Sequence, residues 1–115
     1  MKFTESLTSN RDFKRLYARG KSAASPLLVA YCRKNGTERN RLGLTVGTKV
    51  GKAVHRNGIR RRLREIYRLG EERVRRGFDI VVVARVRCRH AAYRELEEEL
   101  WRLFSVLGLT RGEDE

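Results

Sequence analysis

One proline, one tryptophan, one methionine and two cysteines are all that this chain of 115 residues contains of those types, and basic residues outnumber acidic ones by about two to one. Each scarcity excludes something. With Pro26 alone, no low-complexity tract and no fixed-period repeat, the chain has no internal linker, and one domain over residues 1–115 is expected. No apolar run approaches the roughly 18–20 residues of a membrane span, and the amino terminus lacks the charged-then-apolar layout of a signal peptide, so a cytoplasmic protein without a membrane partner is expected. Cys32 and Cys88 lie far apart and outside any Cys-x-x-Cys pattern. Together with His55 and His90 they match no usual zinc spacing, which predicts ordinary reduced cysteines and no protein-bound cofactor. Carboxylates are thin too. Glu5, Asp12, Glu38, Glu65, Glu71, Glu72 and Asp79 form no ligand motif, and Glu95, Glu97, Glu98 and Glu99 fall mostly on the polar side of a closing helix, which argues against a protein nuclease that holds its own divalent metal.

What the chain has in excess is positive charge, 27 Lys and Arg against 14 Asp and Glu for a formal net charge of +13. The excess is unevenly placed. Lys49 to Arg76 holds eleven basic and three acidic residues, whereas His90 to Glu115 holds three basic and seven acidic. Between Lys52 and Arg64 there are six Lys or Arg in thirteen positions and no acid. At about 100° per residue, Ile59, Leu63, Ile66 and Tyr67 share one narrow arc of a helix, and Arg60, Arg61, Arg64 and Arg68 share another that includes Asn57. A charge run is often only a solvated face. Here the overall charge and its polarisation favour a polyanion, whose phosphates relieve the self-repulsion of the row and release counterions on binding.

Along the chain, Thr8 or Ser9 is placed to cap a helix over about residues 10–19, with Asp12 in its first turn and Gly20 as a C′ residue. The run from Leu27 to Cys32 and that from Arg41 to Val46 read as strands joined in a hairpin across the Lys34-Asn35-Gly36 turn. The arginine helix follows and runs to about Leu69. Phe78 to Ala84 reads as a strand buried on both faces. A closing helix carries Tyr93, Leu96, Leu100, Leu103 and Leu107 at three- and four-residue steps, ending at Gly108. The order α-β-β-(β)-α-β-α predicts an α+β fold, one mixed sheet of about four strands packed with helices, and a short acidic tail over residues 111–115 that is disordered.

Val50-Gly51-Lys52-Ala53-Val54, then Arg56-Asn57, then Ile59-Arg60-Arg61-Arg62-Leu63-Arg64-Glu65 resemble the signature of the bacterial ribonuclease P protein component. The resemblance extends over nearly the whole chain: Phe13 and Tyr17 before Gly20-Lys21, the strand ending at Tyr31, Arg41 to Val46, and Asp79 to Arg85 all fall where that family has similar segments. One departure is Arg56-Asn57-Gly58, where the family typically has Arg-Asn-Arg. The resemblance implies a small protein that joins ribonuclease P RNA and binds the 5′ leader of precursor tRNA. Chemistry would reside in the RNA subunit with Mg2+ acting through it, and no obligate protein partner is implied. Lys52, Arg56, Asn57, Arg60, Arg61, Arg64 and Arg68 would contact the catalytic RNA, Phe13, Tyr17 and Tyr31 would line the leader cleft, and no residue would be catalytic. Aromatic faces suit a single strand of varied sequence. Taken alone, Phe13 at helical spacing from Leu16 and Tyr17 reads more readily as core than as a ligand contact. A ribosomal or other structural RNA-binding protein without a role in cleavage is the alternative that the charge also permits.

Overall fold

Five strands and three α-helices make up residues 1–112, the part of the chain that the computed structural model describes. They are β1 (Thr4–Ser6), α1 (Asn10–Arg19), β2 (Lys21–Ala24), β3 (Leu28–Lys34), β4 (Asn40–Val46), α2 (Ala53–Leu69), β5 (Phe78–Ala84) and α3 (Tyr93–Val106). The helices stand where the apolar periodicity places them. The α+β architecture with one mixed sheet is as expected, and the sheet order is β1-β4-β5-β3-β2.

The expected hairpin is not formed. β3 and β4 are consecutive in sequence, but β5 lies between them, antiparallel to β3 and parallel to β4. The physical reason is burial: Ile80, Val81 and Val82 have no more than 1 % exposure, and a strand apolar on both faces gains most at the centre of the sheet. A parallel β4–β5 pair needs a crossover, and α2 is that crossover. The sheet also has five strands rather than about four. β1, only three residues long, pairs parallel with the start of β4, and the polar β2 pairs antiparallel with β3. Neither carries the apolar run that marks a strand in sequence. Of the tail, Arg111 and Gly112 are described, and residues 113–115 lie outside the described residues.

Helices cover the two faces unequally. α2 and α3 bury Ile59, Leu63, Ile66 and Tyr67 with Leu96, Leu100, Leu103 and Phe104 on the face made by Leu28, Ala30, Cys32, Ile80, Val82 and Ala84. On the other face α1 stands alone, with Leu16 against Leu7 and Val81 and with Phe13, Tyr31 and Val83 only partly covered. That incomplete cover leaves a cleft. Ser9 occupies the N-cap position of α1 without a side-chain hydrogen bond. Gly20 ends the helix in extended backbone, not the left-handed conformation of a C′ glycine. Close approach explains the residue: a Cβ at Gly20 would sit 2.7 Å from the Leu16 carbonyl oxygen and 2.9 Å from that of Cys32.

Candidate nucleic-acid interface

The arginine helix is docked as its two arcs require. Ile59, Leu63, Ile66 and Tyr67 are each at most 2 % exposed, burying one stripe of α2 against the sheet and α3. Arg61, Arg64, Arg68 and Asn57 are exposed, and Arg60 is half-buried. Among the described residues none of these arginines forms an ion pair with a carboxylate. Arg60 is oriented instead by neutral oxygens, donating from Nη1 to Asn57 Oδ1 at 2.8 Å and from Nη2 to the Val46 carbonyl at 3.4 Å. Lys52 is exposed at the N-cap of α2. One turn on, Arg56 holds a buried Nε that has no hydrogen-bond partner among the described residues. The row therefore presents desolvated or solvent-facing donors whose charge is uncompensated within the helix.

Aromatic residues gather on the opposite face. Phe13 and Tyr17 stand 6.4 Å apart between ring centroids, and Tyr17 meets Tyr31 edge-on at 4.9 Å. Tyr17 is 44 % exposed although it is a large aromatic, so its ring is available to a ligand. Phe13 reaches the sheet because β4 carries a glycine beneath it: a Cβ on Gly43 would lie 2.7 Å from Phe13 Cζ. A glycine inside a strand often marks such a close approach, so the sequence itself carried a signal for this feature.

Two sets of residues far apart in sequence meet in one hollow. A cavity of about 350 Å³ is lined by Phe13 and Leu7 on one side, by Leu42, Gly43 and Leu44 of β4 on its floor, and by Arg64 of α2. The aromatic cleft and the arginine row thus share a border at the β1–β4 edge of the sheet. Neither spacing nor periodicity reveals this, because it depends on β1 adding to β4.

A charged strut holds α1 over the sheet. Arg41 donates to both oxygens of Asp79, from Nε to Oδ1 at 2.8 Å and from Nη2 to Oδ2 at 2.6 Å, and from Nη1 to Asp12 Oδ2 of α1 at 3.0 Å. The hydrogen bond to Asp79 is the main reason that its guanidinium pKa is raised. Beneath the row's end, the amino terminus is tied to the helix. Glu71 accepts from the backbone N–H of Lys2 at 2.7 Å and of Phe3 at 3.2 Å, and Thr4 Oγ1 shares a hydrogen bond with the buried Tyr67 hydroxyl at 2.8 Å. Burial alone would raise the Glu71 carboxyl, but hydrogen bonds from the Thr4 side chain and from these two amides hold it below its usual value. Burial raises the Tyr67 phenol.

Both cysteines are buried and unpaired, and burial pushes the Cys88 thiol up to about 11 while its Sγ donates to the Leu27 carbonyl at 3.0 Å. A thiol so placed is protonated at neutral pH and a poor nucleophile. No three His, Cys, Asp or Glu side chains come together as metal ligands among the described residues. No helix among them is long and apolar enough to cross a membrane.

Comparison with known proteins gives one consistent answer. Residues 1–108 match the family model described as ribonuclease P. The chain is 43 % identical over 109 residues to the ribonuclease P protein component of Alkaliphilus oremlandii, covering 95 % of this chain and 96 % of that protein. It is 40 % identical to the protein of the same description from Clostridioides difficile, covering 87 % and 89 %. Among solved structures, the RNase P protein of Staphylococcus aureus superposes with a TM-score of 0.85 at 29 % identity, covering 92 % of this chain and 97 % of that one. The RNase P protein of Thermotoga maritima gives 0.80 at 35 %, covering 94 % and 99 %.

Proposed function

The chain belongs to the ribonuclease P protein family, and from that premise we propose how its surfaces divide the work of tRNA 5′ maturation. It is the protein component of a ribonucleoprotein endonuclease that removes the 5′ leader of precursor tRNA. It works with the RNA subunit, which carries the chemistry. On our reading residues 1–115 act as one RNA-binding domain. Lys52, Arg56, Asn57, Arg60, Arg61, Arg64 and Arg68 contact the catalytic RNA, and Phe13, Tyr17 and Tyr31 take the leader. One observation carries the assignment: the apolar edge of α2 is buried while its guanidinium row has no carboxylate partner among the described residues.

The division follows from the chemistry of the two surfaces. Folded RNA is recognised through closely spaced phosphates, which a rigid row of cations matches. A leader is single-stranded, so its bases can stack on Tyr17 and Tyr31, at about 1–3 kcal/mol per base, with little demand on sequence. The cavity joining Phe13 to Arg64 favours simultaneous occupancy of both surfaces. Mg2+ acts through the RNA subunit. The chain's part is to neutralise phosphate repulsion where RNA subunit and substrate crowd together, so that less Mg2+ is needed. Such work on precursor tRNA belongs to the cytoplasm.

Reconstitution tests the reading. The protein mixed with a bacterial ribonuclease P RNA is expected to promote leader removal at low Mg2+, with protein alone inactive; no stimulation overturns it. Holoenzyme carrying Tyr17→Ala is expected to lose affinity for leader-bearing tRNA and to keep its affinity for mature tRNA. An equal loss for both removes the cleft assignment.

A further inference from the structure

A second cationic surface lies at the end of the sheet where β3 finishes and β5 begins. Two adjoining hollows of about 540 and 460 Å³ share Lys34, Arg75 and Phe78. Arg76 and Arg111 complete the first, and Arg19, Lys21 and Arg33 contribute to the second. These side chains come from four stretches of sequence that no spacing motif connects. Backbone pairing assembles them: Val74 bridges Thr110, the Arg75 N–H donates to the Leu109 carbonyl at 2.7 Å, and the Arg111 N–H donates to the Arg73 carbonyl at 2.7 Å. Arg76 is braced over the Phe3 ring, 4.3 Å from its centroid.

Three of these cations, Lys34, Arg76 and Arg111, are exposed, and among the described residues none of the three forms an ion pair with a carboxylate. Two nearby acids are engaged: Asp79 pairs with Arg41, and Glu72 with Lys2 at 2.6 Å. Phe78, which lines both hollows, is half-buried. Cations flanking a partly accessible aromatic ring suit a single strand, with phosphates on the side chains and a base against the ring. A duplex, whose bases are already stacked on one another, gains nothing from that ring.

The groove meets the aromatic cleft round the end of β3, because Arg33 lines the second hollow while Phe78 packs on the α2 and α3 side of the sheet. Tyr31 and Arg33 are two apart on β3 and so point to the same face, whereas Lys34, paired with Phe78, points to the other at the strand's end. Tyr17 and Arg19 close α1 beside them. A strand leaving the Tyr17–Tyr31 pair meets Arg19 and Arg33 and then turns round the end of β3 to reach Lys34 and Phe78.

We propose that this groove is a second single-stranded RNA subsite, which holds the part of a long leader lying beyond the nucleotides bound at Tyr17 and Tyr31. The proposal rests on the assignment of the leader to those two rings. Its test uses the full-length Lys34→Gln/Arg111→Gln variant reconstituted with ribonuclease P RNA, and precursor tRNAs whose leaders are lengthened stepwise. The variant is expected to bind short-leader substrate like the parent protein, while its gain in affinity with leader length stops earlier. For the longest leader, the slope of log affinity against log salt is expected to fall by about 1.4, roughly 0.7 for each single-strand phosphate that no longer meets a cation. Unchanged length dependence and slope overturn the proposal, provided that the variant's melting curve matches the parent's. Weakened association with the RNA subunit, with length dependence intact, also overturns it and assigns the groove to the catalytic RNA. Tyr17→Ala separates the two readings: if it spares binding of short-leader substrate, the cleft assignment fails and the placement of the groove beyond it fails too, whereas a short-leader loss in Tyr17→Ala with unchanged length dependence in the double variant overturns the groove alone.

Discussion

Gly58 occupies the third position of Arg56-Asn57-Gly58, inside α2, and a Cβ built there meets nothing within 4 Å. Glycine inside a helix costs about 1 kcal/mol relative to alanine, so with no clash to offset the gain, Gly58→Ala is expected to stabilise the fold by about that amount. Urea unfolding of the two proteins measures it. Glu71 is a residue whose replacement acts in the other direction. Its folded-state pKa lies below the ordinary 4.5, so its contribution is complete above that value and disappears as pH falls through the lower folded value. Glu71→Gln keeps one acceptor oxygen for two backbone donors. The variant is expected to be less stable by about 1–3 kcal/mol at pH 7 and to show a shallower decline of melting temperature below pH 4.5 than the parent.

At the scale of elements, α1 is the least anchored helix, covering its face of the sheet alone, and Arg41 ties it to β4 and β5. Arg41→Ala leaves Asp12 and Asp79 facing each other without their cation. Because the Arg41 side chain is 37 % exposed, solvent screening limits the cost to about 1–2 kcal/mol. Leader discrimination is expected to fall with it while association with the RNA subunit is retained; holoenzyme binding with leader-bearing and mature tRNA checks both. The strut also marks where sequence patterns stop being informative. Helix positions, the burial of Ile59, Leu63, Ile66 and Tyr67, and the central run Phe78–Ala84 were legible because each follows from local periodicity. Strand order was not, because Leu28–Lys34 and Asn40–Val46 look like natural neighbours until β5 takes the place between them. β1 was invisible for a related reason: three residues, of which only Thr4 is buried, carry no alternation to read. The meeting of Phe13 with Arg64 depends on that strand, so the border between cleft and arginine row was hidden too. Gly43 could have pointed to it, since a glycine in a strand pattern often marks a close approach, but the run Arg41–Val46 reads only as a strand.

Over the whole molecule, charge and burial are arranged so that the exposed arginine row of α2 carries little of the fold's stability. Replacing Arg60 and Arg64 together with alanine removes two exposed or half-buried cations and leaves the core intact. The double variant is expected to keep its melting temperature within a few degrees. Its association with ribonuclease P RNA should weaken, and the salt slope should drop by about 1.5, at roughly 0.7–0.9 per phosphate neutralised. An unchanged slope excludes this face as the RNA-binding surface.

Because α2 crosses between two strands in the middle of the sheet and seats Ile59, Leu63, Ile66 and Tyr67 in the core over them, it cannot be peeled away without opening that core. Its interior amide protons are therefore expected to exchange with deuterium as slowly as those of β5, through global opening alone, whereas the amides of α1 exchange by a cheaper local route. On the proposed division of surfaces, the ruler that holds RNA is built into the least yielding part of the chain, and the arm that admits varied substrates into one of the softest.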